Sequence, residues 1–241
     1  MNVLAIQLSA ILALACVYVF GKYLRISSPE NGQRWLSAAA GASVAYVFVR
    51  ALPEMGEAQE VFTRVTFDRG LPFPELHVYT AALIGFLFFY GLEHMASRHG
   101  APDRVRSDEA APLAYRLQLG GFALYSALVG YLMVHQRTLP TLLYLIAMAL
   151  HFLAVDHSLE HEYGSPYEHS GKWLLAAAIL AGGLAGILTS MPEELLATLL
   201  GLNAGGVIIN SMIMELPTEK EGRFWPFCLG AIAYSLLLLL I

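Results

Sequence analysis

The sequence predicts an all-α integral membrane protein of eight transmembrane helices. Three observations point that way. Of 241 residues, 57% are hydrophobic and only 14% are Asp, Glu, Lys or Arg, against about 25% charged in an ordinary soluble domain. The apolar residues fall into repeated blocks of about 20, the length of helix that crosses the hydrocarbon core of a bilayer. The polar stretches between blocks are too short and too charged to bury a core, so residues 1–241 are expected to form a single transmembrane domain. A net charge of −5 with 14 scattered basic residues argues against a nucleic-acid-binding surface and leaves the lipid bilayer as the main partner.

The blocks lie at about 3–22, 34–53, 76–97, 113–134, 139–161, 172–190, 194–216 and 224–241. The first has neither a preceding basic residue nor a clear small-x-small cleavage site, so it is expected to stay as a span and not to be removed as a secretory signal. The second carries Arg50 near its end, where snorkelling to the interface is its default role. Pro53 to Glu75, with three prolines and mixed charge, is expected to be a loop, as is Arg98 to Pro112. The third block ends in Glu93-His94, with Arg98 one turn on as a partner for Glu93. Gly120-Gly121, Gly182-Gly183-x-x-Gly186 and Gly205-Gly206 offer the small surfaces by which membrane helices approach closely. None is followed by Lys-Ser/Thr, so none is a phosphate loop. Cys16 and Cys228 lie alone in their blocks and are expected to be packing residues, not a redox or metal pair.

Orientation follows from the basic residues, which cytoplasmic loops retain. The odd-numbered connections hold ten Lys and Arg, and the other side holds Arg64, Arg69 and Arg137. Both termini are therefore expected on the non-cytoplasmic side. An internal echo supports the count. Ala40-Gly41 with Leu52-Pro53 recurs as Ala204-Gly205 with Leu216-Pro217, displaced by 164 positions. The second and seventh blocks cross in opposite directions, so the echo predicts an inverted repeat of spans 1–3 and 6–8 around a central pair. Many secondary transporters are built on this 3+2+3 plan.

Ionisable groups inside a span are costly and mark pathways or paired interior positions. The fifth block is the exception in this chain: from His151 to Glu162 it holds Asp156, His157, Glu160 and His161 as well. His157 and His161 are one turn apart, the spacing at which two imidazoles on a helix reach one metal ion. Asp156 and Glu160 share that wide face, whereas His151 points elsewhere, about 18 Å into the bilayer from the start of the block. Imidazole mixed with carboxylate suits Zn, Fe, Mn, Co or Ni better than Ca or Mg. The bland alternative is a helix end emerging among headgroups, which is the expectation for Glu162, Glu168 and His169. His157-Ser-Leu-Glu160-His161 also fits the His-x-x-Glu-His pattern of inverted zinc peptidases, but no third ligand is evident and no enzyme activity is expected.

Taken together, the eight blocks, the external termini and several local strings resemble the ZIP family of divalent-metal transporters. Gly41 through Arg50 to Leu52-Pro53-Glu54 is similar to the family's second helix, Phe86 to Leu92-Glu93-His94 to its third, and Ala204-Gly205-Gly206 through Glu215-Leu216-Pro217 to its seventh. The resemblance implies a metal site between helices four and five and movement of one helix bundle against another. It fails where that site would be. The family's fourth-helix His-Asn-x-x-Asp-Gly falls on Gly121, Phe122, Tyr125 and Ser126, which include no metal ligand, and only His151 and Asp156 survive of the fifth-helix His-Glu-x-x-His-Glu. The expectation is transport of a divalent transition metal, zinc first, through an altered site of His151, Asp156, His157, Glu160 and His161. The alternative is a ZIP-fold metal sensor or scaffold that does not transport. A bacterial inner membrane suits such a compact chain, and a homodimer is compatible with it.

Overall fold

The computed structural model describes residues 3–24, 29–67, 73–99, 111–135, 138–211 and 223–239. Among them the regular structure is entirely helical. Helix α1 spans Val3–Leu24, α2 Pro29–Tyr46, α3 Leu52–Thr66, α4 His77–His99, α5 Ala111–His135, α6 Thr138–Tyr163, α7 Lys172–Leu188, α8 Glu193–Asn210 and α9 Phe224–Leu239. Five stretches are long and apolar enough to cross a membrane: Val3–Tyr23, Pro74–Met95, Leu113–His135, Leu142–Tyr163 and Tyr167–Leu188. Helix α9 is apolar but shorter. The block expected over 34–53 is helical, and that over 194–216 is helical to residue 211, beyond which its Glu215-Leu216-Pro217 end lies outside the described residues.

Two connections are largely helical, the first being the expected loop from Pro53 to Glu75; most of the other expected loop, Arg98 to Pro112, lies outside the described residues. A π-helical turn at Val47–Ala51 joins α2 directly to α3. Pro53 has no N–H to give residue 49 and its ring crowds that carbonyl; a widened turn just before it accommodates both, so the helix continues. Beyond it, Met55, Ala58, Gln59, Phe62 and Thr66 are buried, an i, i+3, i+4, i+7 stripe that packs on α8. The second case is the Tyr163 to Lys172 connection. Gly164, at φ 56°, ends α6 in the left-handed conformation that glycine adopts without strain, and a π-helical turn at Tyr167–Gly171 leads straight into α7.

Lipid-facing surfaces are apolar and the interior is partly polar, the reverse of a soluble bundle. Leu83, Ile84 and Leu87 on α4, Leu180 and Leu184 on α7, and Leu229, Ile232 and Leu236 on α9 are exposed, while Gln118, Ser126, His151, Asp156, Asn203 and Asn210 are buried. In water such continuous apolar faces would aggregate; against acyl chains they are satisfied. Cys16 is exposed on α1 and Cys228 is half-buried, so Cys16 is not the interior packing residue expected.

The helices pair in a definite pattern. Helix α2 packs on α9, α4 on α8, α5 on α7, and α1 on both α6 and α7. Lipid gives helices no hydrophobic reason to associate, so close approach through small residues has to supply the contact energy. At α2–α9 a Cβ on Gly41 would meet the Phe227 carbonyl oxygen at 2.0 Å, and one on Gly230 would meet that of Ala38 at 2.0 Å. At α4–α8 the same holds for Gly205 against Ala82 O at 1.9 Å and Gly85 against Leu202 O at 2.2 Å. Gly182 and Gly130 form a third reciprocal pair at α5–α7. At all three interfaces backbone touches backbone.

Candidate metal site

Helix α6 delivers the predicted ligands to three different surroundings. His151 is completely buried, and its Nε2 lies 3.2 Å from the Tyr125 hydroxyl of α5. The two rings meet edge to face with centroids 5.8 Å apart. Next to them Phe152 stacks on Tyr18 of α1 at 4.8 Å, and the Tyr18 hydroxyl is 3.0 Å from Ser126 Oγ. The seam where α5 and α6 meet is thus filled by aromatic rings whose hydroxyls are engaged with a histidine and a serine.

One and a half turns on, Asp156 is 3% exposed and accepts a 2.8 Å hydrogen bond at Oδ1 from the Tyr167 hydroxyl. Its other oxygen rests against Gly21 of α1, where a Cβ would come within 2.6 Å. Tyr167 is fully buried because the π-helical turn carries it back over α6. Replacing Tyr167 with Phe removes a hydrogen bond to a buried carboxylate at almost constant volume, and should cost about 1.5–3 kcal/mol. Thermal unfolding in detergent checks it; an unchanged melting temperature would refute the bond.

Glu160, one turn beyond Asp156, faces the same helix: its Oε1 is 3.8 Å from Lys22 Nζ, and Lys22 also bonds Glu168. His157 and His161 stack at 6.4 Å between centroids, as i, i+4 imidazoles do, with His157 half-buried and His161 exposed. The five predicted residues therefore do not converge. Among the described residues no three His, Cys, Asp or Glu side chains are close enough to share one metal ion. His151 and Asp156 are deep and held by tyrosines, Glu160 is drawn to Lys22, and the two outer histidines lie beside one another.

Sequence reasoning did not single out Tyr18, Tyr125 and Tyr167 as the partners of this centre, nor Lys22 as the link from α1 to α6 and the turn before α7. Tyr18 and Tyr125 are isolated in apolar blocks and Tyr167 lies in a connection, so none of them gives a periodic signal. Glu168, expected to be solvated, is at the surface and there also bonds Lys22.

A second polar cluster lies where α2, α3, α6 and α8 meet. A small cleft there is lined by Tyr46, Glu54, Tyr144 and Asn203. Arg50 is not simply snorkelling: its Nε is 2.6 Å from Glu54 Oε1. Glu93 lies 3.4 Å from Gln118 Nε2 on α5; the Arg98 side chain expected to meet it lies outside the described residues.

Compared with known proteins, the chain matches no protein-family model and no curated protein.

Proposed function

We propose that the protein is a ZIP-like membrane transporter of eight spans, built on an inverted 3+2+3 repeat, that moves a divalent transition metal by alternating access. The observation that carries this reading is a symmetry among the closest helix contacts. Exchanging α1 with α7, α2 with α8, α4 with α9 and α5 with α6 turns the α4–α8 contact into α9–α2 and the α5–α7 contact into α6–α1, while α1–α7 maps onto itself. The same exchange carries the reciprocal glycine pair Gly205/Gly85 onto Gly41/Gly230, and Gly41 and Gly205 are the residues of the 164-position echo. Under this operation α5 and α6 are the central pair, the place where inverted-repeat transporters hold their cargo.

Zinc is the first cargo to test, followed by iron, manganese, cobalt and nickel, since imidazole and carboxylate suit these ions. His151 and Asp156 are the deep contacts. A metal reaching His151 replaces the Tyr125 hydroxyl at Nε2, and Glu160, His157 and His161 form the polar end of the path. With ten basic residues on one side of the span pattern and three on the other, that end faces the cytoplasm and both termini face away from it. Metal uptake into proteoliposomes tests the reading. Flux above empty vesicles that falls at least tenfold in His151→Ala is expected; no flux of any of the five ions would overturn it.

A second reading has its own support. Tyr125 and Phe122 stand where the family's fourth helix has metal ligands, and two deep ligands fall short of the four-coordinate shell zinc prefers. In that reading the fold persists as a metal sensor or scaffold without transport. Zinc binding measured by equilibrium dialysis, with no accompanying flux, would select it.

A further inference from the structure

An apolar cavity in this protein opens sideways. It is a groove of about 240 Å³ between α4, α5 and α8, lined by Ile84, Phe88, Leu124, Leu128, Leu202 and, at its inner end, Tyr125. Gly85 and Gly121 bring the backbone to its walls. The outward rim is lipid-facing, since Ile84, Phe88 and Leu124 are 56%, 46% and 66% exposed.

Depth identifies what fills it. Gly85, Leu124 and Leu202 each lie at the middle of their helices, so the groove is level with the centre of the hydrocarbon layer, about 15 Å from either headgroup region. Water is a poor occupant. A buried water needs two to four polar partners, and the one hydroxyl here, that of Tyr125, is already 3.2 Å from His151 Nε2. A headgroup cannot reach this depth. A void open to fluid hydrocarbon forfeits dispersion contacts along its whole lining, and the only chemistry present at that level in abundance is the terminal part of acyl chains.

We propose that this groove is a binding site for the end of a lipid acyl chain, which enters laterally from the bilayer and packs against the ring of Tyr125. The site depends on the membrane assignment alone, not on what the α5–α6 seam carries. It gives the bilayer direct contact with the residue that holds His151, at the place where the α4–α8 pair meets α5.

Photolabelling tests it. The protein is reconstituted in phosphatidylcholine vesicles doped with a phosphatidylcholine whose acyl chain ends in a diazirine, irradiated, and mapped by mass spectrometry. Leu180 and Ile232, exposed near the middle of α7 and α9, are the controls for ordinary lipid contact. Adducts on Phe88, Leu124 and Leu128 several-fold above those on Leu180 and Ile232 are the expected result. Equal labelling of all five positions would overturn the proposal, as would groove residues protected from lipid but cross-linked to a second copy of the chain. Ile84→Trp fills the groove and should cut groove adducts several-fold while leaving Ile232 labelled; undiminished groove adducts in the folded variant would also overturn it. Should that variant fail to fold, the wild-type map decides.

Discussion

Gly205→Val is expected to be among the most damaging single substitutions in this protein. The Cβ alone would lie 1.9 Å from the carbonyl oxygen of Ala82 and 2.8 Å from the Phe86 nitrogen, so the obstacle is backbone and not a side chain that can rotate away. Relief requires α4 and α8 to separate, which also opens the Gly85–Leu202 contact. Overpacking of this kind costs typically 1–3 kcal/mol and occasionally more; at the upper end, about 3 kcal/mol, the melting temperature falls by roughly 6–12 °C for a chain of this size. Gly41→Val should match it, because its Cβ would meet Phe227 O at 2.0 Å. The internal control is Gly120→Ala, whose Cβ meets nothing within 4 Å and which should leave the melting temperature unchanged or slightly raised. Equal thermal stability of the Gly205 and Gly120 variants would refute the close α4–α8 approach.

These glycines also mark how far the sequence alone could go. Apolar blocks disclose helices because bilayer thickness sets a length, and the ends expected for the first, third, fourth and fifth blocks fall within two residues of those of α1, α4, α5 and α6. Gly41 and Gly205 could be singled out from their echo, but their facing partners, Gly230 and Gly85, could not, since pairing across helices leaves no trace in one sequence. Helix α3 was missed because Pro53 and a charged surface resemble a loop; the apolar stripe from Met55 to Phe62 was present but lay on a half-buried helix, without the length of a span. The candidate site was legible only in part. Spacing identified His151 as deep but grouped Asp156 with the residues further along the helix; the structure buries both. Glu160 does not join them because it faces Lys22, which belongs to an element far away in the chain, while His157 and His161 lie against each other. A wheel drawn for one helix has no access to its neighbours.

The substitution that best separates transport from structure is Asp156→Asn. The amide keeps the volume of the carboxylate and retains an oxygen to accept the Tyr167 hydroxyl, which donates at 2.8 Å. Its other half is compatible with the tight seat against Gly21, where there is no room for a larger group. What disappears is the charge. Removing the ionic character of a hydrogen bond roughly halves its strength, a loss of about 1 kcal/mol, so the folded protein should melt within about 5 °C of the wild type. If Asp156 handles a divalent cation the consequence is larger, because a carboxylate ligand and a neutral amide differ in Coulomb attraction at the place where water is excluded. Zinc flux should then fall by at least tenfold, equivalent to 1.4 kcal/mol, with the fold intact by thermal unfolding and gel filtration. A folded Asp156→Asn protein that carries zinc as fast as wild type would remove Asp156 from the path. Asp156→Leu provides the contrast: it confronts the Tyr167 hydroxyl with an apolar side chain, so the buried donor loses this acceptor at a cost of about 1–3 kcal/mol. Stability should fall further in Leu than in Asn, while flux falls in both. Only a residue serving both the packing of α1, α6 and the turn before α7 and the passage of a cation gives that pattern.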